Sequence, residues 1–292
     1  MSNLFCTVVI PCRDGEKTLP QTLDSLLAQT VPIQILVAND ASIDATPRIL
    51  KEYAKQGVIS INYPTREPRN YARVPVLLNM LKPIEPDTPY YMVSGDDTVF
   101  PPDYIKRITE NMEQHGASVA SGVSIQYKHR TTKAPPGGSG RVFTKEAWKN
   151  LTPFYPNIAW ESGALYKARH FGYTLGFYDV EKNHINPQTA DSTWTFGHAA
   201  YLLGTPLSYT FIRVIKSIKR HDHPTWSAIC ILLGQLEYEI KRPQRVDIWR
   251  YDRENKYLQR NRVVLRVLTG WMPSGIKNWV RKNVKRRTKN EY

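Results

Sequence analysis

Paired cysteines and long apolar segments are both missing from this sequence. Its three cysteines (Cys6, Cys12 and Cys230) are odd in number and lack the spacing of a metal site, so we expect reduced thiols and an intracellular setting. The longest apolar run toward the C-terminus, Ala228–Leu233, is far shorter than a bilayer-spanning helix, which needs about 20 residues. No charged and then apolar signal segment opens the chain. These absences predict a soluble or membrane-peripheral protein.

Two known phosphate-binding loops are missing as well. No G-x-x-x-x-G-K-[ST] segment occurs, and the Gly-Ser-Gly at 138–140 does not continue as G-x-G-x-x-G. The sequence therefore supports neither a P-loop ATPase nor a dinucleotide-binding fold. A length of 292 residues without an internal repeat favours one large domain with an appendage.

Acidic residues are scarce at one end of the chain. The sequence has 40 Lys and Arg against 26 Asp and Glu, a net charge of +14. Residues 241–292 hold 16 of these cations and 4 of the anions, so they carry +12 of that charge. Residues 1–240 are nearly neutral. Any anionic partner that the charge predicts is therefore expected to bind the tail.

Buried strands alternate with helical segments through the first 125 residues. Short β-branched or aromatic runs predict the strands, and leucines and isoleucines at helical spacing predict the helices. This alternation indicates an α/β protein with parallel pairing and right-handed crossovers. After residue 125 the order weakens, and the Pro- and Gly-rich residues 134–140 are predicted to be a mobile loop. The predicted strands are 7–10, 33–37, 58–63, 90–93 and 118–123; helices are expected to begin near 19, 44, 74, 104 and 226.

Acidic residues follow two of these predicted strands directly. Strand 33–37 is followed by Asp40 and Asp44, and strand 90–93 by residues 94–97 (SGDD). In open α/β sheets, ligands bind beyond the carboxyl ends of the strands. Carboxylates at two such ends suit a nucleotide and a hard divalent cation that bridges its phosphates. The pattern indicates the chemistry of a nucleotide-sugar site.

Four sequence blocks in a fixed order carry a resemblance to a known family. They are 8–19 (VVIPCRDGEKTL) with 26–30 (LLAQT), 37–46 (VANDASIDAT), 72–73 (AR) and 94–97 (SGDD). Together they resemble the family 2 inverting glycosyltransferases of the GT-A fold, whose motifs are V-N-D-G-S-T-D-x-T, A-R-N and D-x-D-D. Val74 replaces the Asn of A-R-N, and Ser94 replaces the first Asp of D-x-D-D. The resemblance covers roughly residues 5–225.

The donor half of the site follows from this resemblance. It implies that Asp40 binds the base or ribose of the nucleotide, that Pro11 and Arg13 line the same wall, and that Arg73 lies nearby. The alternative is that Asp40 and Asp44 are turn and cap residues, which they also suit. We assign Asp44 mainly to that structural role.

The resemblance also implies a metal site. Asp96 and Asp97 are expected to flank the diphosphate of the nucleotide sugar, one binding Mn²⁺ or Mg²⁺ and the other its bound water or the sugar. The cation would stabilise the departing nucleoside diphosphate as a Lewis acid. Residues 220–224 (RHDHP) resemble a late R-x-H segment of the family, so His223 is a candidate further metal ligand. An isolated histidine is more often structural or solvated.

An inverting transfer needs a carboxylate that deprotonates the acceptor hydroxyl. Residues 176–179 (GFYD) resemble the family's G-F-D-like turn, and 190–196 (ADSTWTF) the helix start that bears its base. By this resemblance Asp191 is the catalytic base. The alternative is that Asp191 is an N-cap residue, with Asp179 and Glu181 as the fallback carboxylates.

Trp160 and Glu161 are the candidate acceptor-binding residues. They precede a predicted strand at 164–166 and are expected to line the acceptor pocket. A tryptophan at this position is equally compatible with a place in the core.

The basic tail has three interpretations. Ile276, Trp279, Val280 and Val284 recur at helical spacing among cationic residues, which is typical of a helix in a membrane interface. Cations near an anionic surface contribute about 1 kcal/mol each. Nucleic-acid binding and a solvated face without a partner are the alternatives. We favour the membrane, because the apolar stripe makes residues 262–289 amphipathic.

The overall prediction is a metal-dependent glycosyltransferase with a mostly parallel mixed sheet. Its donor is a nucleotide-diphospho-sugar, with UDP favoured by the family over GDP and TDP, and its acceptor a glycan or lipid-linked hydroxyl. The rivals are a sugar-phosphate nucleotidyltransferase and a nucleic-acid-binding protein driven by the tail; we expect no nucleic-acid partner. The expected location is cytoplasmic, peripheral at the inner face of the membrane. The predicted division is a GT-A domain at 1–224 (nucleotide-binding half 1–125, acceptor half 126–224) and a basic helical extension at 225–292.

Overall fold

The computed structural model describes residues 4–125, 136–186, 190–220, 225–241 and 243. Within these residues the chain forms eight strands and nine α-helices. The strands are β1 (Cys6–Cys12), β2 (Ile33–Asn39), β3 (Ile59–Asn62), β4 (Tyr90–Val93), β5 (Thr98–Val99), β6 (Val119–Ser124), β7 (Arg141–Thr144) and β8 (Leu175–His184). The helices are α1 (Leu19–Leu27), α2 (Thr46–Tyr53), α3 (Arg73–Leu81), α4 (Tyr104–His115), α5 (Lys145–Leu151), α6 (Trp160–His170), α7 (Ala190–Leu202), α8 (Leu207–Arg220) and α9 (Thr225–Lys241).

The strands pair in the order β3-β2-β1-β4-β7-β6-β8-β5. β3, β2, β1 and β4 are parallel, β7 is antiparallel to both of its neighbours, β8 is parallel to β6, and β5 is antiparallel to β8. This arrangement confirms the predicted mostly parallel mixed sheet flanked by helices. Because β1, β2 and β4 run in the same direction, their last residues, Cys12, Asn39 and Val93, lie at one edge of the sheet.

Each face of the sheet is covered by its own hydrophobic core. Val8 and Ile10 of β1 pack into the core under α1, α2 and α4, and Val9 packs into the core under α3, α5 and α6. Alternate residues of a strand point to opposite faces, so a strand buried on both faces is apolar at every position. This burial explains the uninterrupted hydrophobic runs Val8–Ile10 in β1 and Ile35–Ala38 in β2.

One predicted strand is a helix. Residues 164–166 lie in α6, where the buried residues Trp160, Ala164 and Ala168 recur every fourth position. That spacing places them on one helical face against the second core. The strand prediction was wrong because it considered only three residues of this longer periodic segment.

The predicted turn at 176–179 is also wrong, since these residues lie within β8. In the pairing with β6, Gly122 is opposite Tyr178 and the next residue is opposite Glu181, so Asp179 and Val180 form a bulge. A Cβ on Gly122 would lie 2.0 Å from the Val180 carbonyl oxygen. The bulge therefore requires glycine at 122, which is a long-range constraint.

Helices α7 and α8 both pack on α9. α7 and α9 cross with their backbones in contact, since a Cβ on Gly197 would lie 2.2 Å from the Ile231 carbonyl oxygen. Trp194 Nε1 and His198 Nε2 of α7 lie 2.6 Å and 2.8 Å from one carboxylate oxygen of Glu237 in α9. α9 confirms the helix expected from residue 226 onward. The division of the chain at 224/225 remains a prediction.

In the described part of the chain, no helix combines the length and the apolar composition that a membrane span requires.

Candidate active site

Asp40, directly after β2, is held between two arginines. Asp40 is 3% exposed, and its carboxylate accepts from Arg13 Nη1 at 3.2 Å and from Arg73 Nε at 3.1 Å to each oxygen. The Asp40 N–H donates to the Cys12 carbonyl at 2.8 Å, which ties the end of β2 to the end of β1. Asp40, Arg13 and Arg73, three of the four residues predicted for the donor wall, are thus in direct contact. Pro11, the fourth, lies in β1 opposite Ala38.

Arg73 begins α3 and is fixed on several sides. Hydrogen bonding to Asp40 is the main reason that its pKa is raised above its ordinary value. Its guanidinium also lies over the Tyr63 ring, 4.6 Å from the centroid, and forms an ion pair with Glu67. The Nε of Arg13, in contrast, is buried and makes no hydrogen bond within the described part of the chain. That N–H is a buried donor without an acceptor at the end of β1, an arrangement that proteins usually avoid.

Asp14 and Arg66 are site residues that the sequence reasoning missed. Arg66 donates to both carboxylate oxygens of Asp14, at 3.0 Å and 2.7 Å, and to the Ala41 carbonyl at 2.9 Å. This hydrogen bonding lowers the pKa of Asp14 to about 2. Arg69 Nη2 donates to the Arg13 carbonyl at 3.0 Å. The sequence does contain a sign of this cationic cluster, because three arginines occur in the eight residues 66–73.

Asp96 lies against the loop that follows β1. A Cβ on Gly15 would lie 2.7 Å from Cys12 Sγ and 3.0 Å from Asp96 Oδ2, so glycine allows the loop to approach the carboxylate. Burial and the like charge of Asp97 raise the pKa of Asp96 to about 6. Burial and the neighbouring Asp96 also raise the pKa of the Cys12 thiol, which therefore remains a neutral donor to that carboxylate.

These two carboxylates fit a hard divalent cation. Asp97 makes ionisation of Asp96 unfavourable, and a cation held by both would relieve that repulsion. Among the described residues, no group of three or more potential metal ligands lies together. A site with only these two carboxylates suits Mg²⁺ or Mn²⁺, because either ion is commonly bound by one or two carboxylates together with substrate phosphates. His223 lies outside the described residues.

Ser139 connects the acidic segment to the glycine-rich loop. Its hydroxyl accepts from the Gly95 N–H at 2.9 Å and is hydrogen-bonded to Thr98 Oγ1 at 2.7 Å. Arg141, which is 2% exposed, donates to the carbonyls of Pro136 and Gly137, each at 3.0 Å. The part of the predicted mobile loop that the structure describes is thus anchored, and it supports the backbone just before Asp96.

The two candidate acceptor residues have different surroundings. Trp160 is 6% exposed and packs against Phe154, with ring centroids 5.1 Å apart, which supports its interpretation as a core residue. Glu161 is exposed, and a Cβ on Gly138 would lie 2.3 Å from its Oε1. Glu161 therefore sits over the glycine-rich loop, and its acceptor role remains a prediction.

Asp191 is in the first turn of α7, and its side chain lies outside the described residues. The fallback carboxylates lie in β8, with Asp179 at the bulge and Glu181 directly after it. The catalytic role of Asp191 therefore remains a prediction. The same applies to residues 262–289 of the tail, which also lie outside the described residues.

Comparison with known proteins gives one family. The model of glycosyl transferase family 2 matches residues 7–172, which is more than half of the chain. A 4,4'-diaponeurosporenoate glycosyltransferase of Staphylococcus aureus is 40% identical over 47 residues, or 16% of this chain. The match spans only 12% of the length of that curated relative.

Solved structures show the same fold. A mannosyltransferase from Pyrobaculum calidifontis, in complex with GDP-Man and Mn²⁺, is 14% identical and has a TM-score of 0.56, covering 96% of this chain and 79% of its own. Glucosyl-3-phosphoglycerate synthase from Mycobacterium tuberculosis, in complex with Mn²⁺, UDP and glucosyl-3-phosphoglycerate, is 13% identical with a TM-score of 0.52, covering 70% and 82%. At these identities the similarity extends to the fold alone.

Proposed function

Since the chain belongs to glycosyl transferase family 2, we propose that it is an inverting, metal-dependent glycosyltransferase. It transfers a sugar from a nucleotide-diphospho-sugar, with UDP-sugar as the favoured donor, to a hydroxyl of a glycan or lipid-linked acceptor. The observation that carries this proposal is the meeting of Asp40 with two arginines after β2 and of Asp96 with Asp97 after β4, the two parallel neighbours of β1. Ligands of open α/β sheets bind at this edge.

The nucleotide binds beside Asp40. The carboxylate of Asp40 is almost fully buried and already accepts from Arg13 and Arg73, so it has little capacity left for a ligand. Asp40 therefore acts mainly by orienting the two guanidinium groups, which contact the base, ribose or phosphates. The unpaired Nε of Arg13 supports this role, because a nucleotide oxygen would satisfy it. Pro11 completes the wall.

Asp96 and Asp97 would hold the divalent cation together with the donor diphosphate. When bound, Mn²⁺ or Mg²⁺ neutralises charge on the departing nucleoside diphosphate. The contribution of the chain is to keep two adjacent carboxylates at the strand end, with Ser139 supporting the preceding backbone. The Mn²⁺ complexes of the two structural relatives support a metal for this chain. His223 is the candidate additional ligand.

Acceptor activation is assigned to Asp191. As general base it takes the proton of the acceptor hydroxyl while that oxygen attacks the anomeric carbon from the face opposite the leaving diphosphate. Glu161, exposed beside the glycine-rich loop, is the proposed acceptor contact. The basic tail, through residues 262–289, is proposed to hold the enzyme on an anionic membrane where lipid-linked acceptors lie.

The donor site can be tested by ligand-induced stabilisation. The melting temperature is measured with UDP, GDP and TDP, each with and without Mn²⁺, for wild type and Asp97→Ala. We expect one nucleoside diphosphate to stabilise the wild type in a Mn²⁺-dependent way, and Asp97→Ala to lose both this response and sugar transfer. Glu110→Ala, which removes an exposed carboxylate of α4, is the matched control and should respond like the wild type.

Two results would contradict the proposal. One is an active Asp97→Ala variant together with unchanged activity in EDTA. The other is release of pyrophosphate from a nucleoside triphosphate and a sugar phosphate without any sugar transfer, which would identify a nucleotidyltransferase.

A further inference from the structure

The outer face of α8 exposes large apolar side chains. Phe211 is 51% exposed and Ile215, one turn further along, is 39% exposed. The adjoining face of the helix is buried, with Val214 packed against Ala228 and Ile231 of α9. The apolar exposed residues are therefore additional to those that stabilise the helix packing. An amphipathic helix that also exposes a Phe–Ile pair has apolar surface in excess of what its own fold requires.

Exposed cations of α8 lie further round the helix from Phe211 and Ile215. Residues 207–220 contain four Lys and Arg and no Asp or Glu. Arg213 and Lys216 are exposed, and neither forms an ion pair within the described part of the chain. Some cations of other helices do have acidic partners, as Lys241 has Glu237 and Lys106 has Glu110. Arg213 and Lys216 lack such local neutralisation.

We propose that the exposed side of α8 that carries Phe211, Ile215 and Lys216 docks on an anionic lipid bilayer. The two apolar side chains would enter the boundary between headgroups and acyl chains, while Lys216 reaches lipid phosphates. Trp226, 62% exposed near the start of α9 and close in sequence to the end of α8, adds a side chain of the type that favours the membrane interface.

The charge of α8 also disfavours a second copy of this chain as the occupant. A symmetric dimer through α8 would bring two helices with four cations each against one another, with no acid on either. An anionic bilayer attracts the same charges. The inference rests on the membrane partnership proposed for the tail, but it assigns a different surface.

The test compares vesicle binding of full-length variants. Wild type, Phe211→Ser/Ile215→Ser, Tyr155→Ser/Ile59→Ser and Trp279→Ser are sedimented with vesicles of phosphatidylcholine alone or with about one third phosphatidylglycerol. Tyr155 and Ile59 are 52% and 44% exposed and lie outside α8, so their double variant is the matched control. We expect the α8 double variant to bind the anionic vesicles about tenfold more weakly and the control to bind like wild type.

A charge variant tests the second half of the inference. Lys216→Gln should weaken binding to anionic vesicles, and its difference from wild type should disappear at about 1 M salt, where screening is short-ranged. Donor-induced stabilisation and sugar transfer to a water-soluble acceptor are measured on every variant. These readouts should be unchanged by the α8 substitutions, so failure of the proposed activity and failure of docking remain distinguishable.

Three results would overturn the inference. The first is wild-type vesicle binding by a folded α8 double variant while Trp279→Ser loses it, which would leave the tail as the docking element. The second is a wild-type dimer that the α8 substitutions dissociate. The third is a preference of the wild type for RNA over anionic vesicles that α8 substitutions abolish.

Discussion

Replacing Asp96 by asparagine is expected to stabilise the metal-free protein at neutral pH. Burial, together with the charge of Asp97, raises the pKa of Asp96 from 3.8 to about 6. Between these values the folded protein holds a proton that the unfolded chain has released. The free energy of unfolding therefore falls as the pH rises through this interval, and the full penalty is present above about pH 6. Asparagine carries no charge and removes the penalty.

The size of the effect follows from the shift in pKa. A shift of about two units corresponds to about 3 kcal/mol, and partial solvent screening of Asp96 reduces the expected gain to about 2 kcal/mol. For a protein of this size the melting temperature should rise by about 4 °C. Thermal and urea unfolding in EDTA at about pH 7.5 and about pH 4 measure it. The gain of Asp96→Asn should be present at the higher pH and close to zero at the lower.

Glu110→Gln is the control for this experiment, because it removes an exposed carboxylate of α4. It should leave the free energy of unfolding nearly unchanged at both pH values. Equal stabilisation by Asp96→Asn at both pH values would show that charge is not the cause, and no stabilisation at either would refute the burial argument. Addition of Mn²⁺ with a nucleoside diphosphate should stabilise the wild type more than Asp96→Asn.

Three other substitutions test separate parts of the structure. Asp191→Asn should retain donor affinity while turnover falls by about 100-fold or more, and loss of donor affinity at unchanged saturated turnover would exclude Asp191 as the base. Asp14→Asn should lower the free energy of unfolding at pH 7, because Arg66 lowers the pKa of Asp14 to about 2. The difference from wild type should vanish as the pH falls through that value. A difference that does not depend on pH would contradict the ion pair. Gly197→Val should lower the free energy of unfolding in urea by several kcal/mol, or prevent soluble expression, because it disrupts the packing of α7 on α9. Ala199→Val on the same helix should do neither. A stable Gly197→Val variant would contradict the backbone contact.

The positions of the strand-end carboxylates were predictable from the sequence because their determinants are local. The buried runs Ile35–Ala38 and Tyr90–Val93 are each followed by carboxylates within a few residues. Parallel pairing of β1, β2 and β4 then brings the strand ends to one edge without further information. Arg13 and Asp40, 27 residues apart, meet for this reason.

The features that the sequence reasoning missed depend on contacts between distant segments. Gly122 is required by a bulge in β8, more than fifty residues away, and Ser139 supports Gly95 from the loop before β7. Neither position has a local pattern that distinguishes it from an ordinary strand or loop residue. The helix α6 was missed for another reason, since its periodicity is visible only over eleven residues.

The serine at the first position of the acidic motif has a physical explanation in this fold. Ser94 is 1% exposed, and its hydroxyl donates to the Gly95 carbonyl at 2.8 Å. A carboxylate at this position would be a buried charge, and the main chain beside it supplies a carbonyl acceptor, with which a carboxylate cannot hydrogen-bond. Serine avoids this cost, and only Asp96 and Asp97 remain to offer carboxylates at this strand end. The proposed metal site would therefore take its carboxylates from the last two residues of the motif.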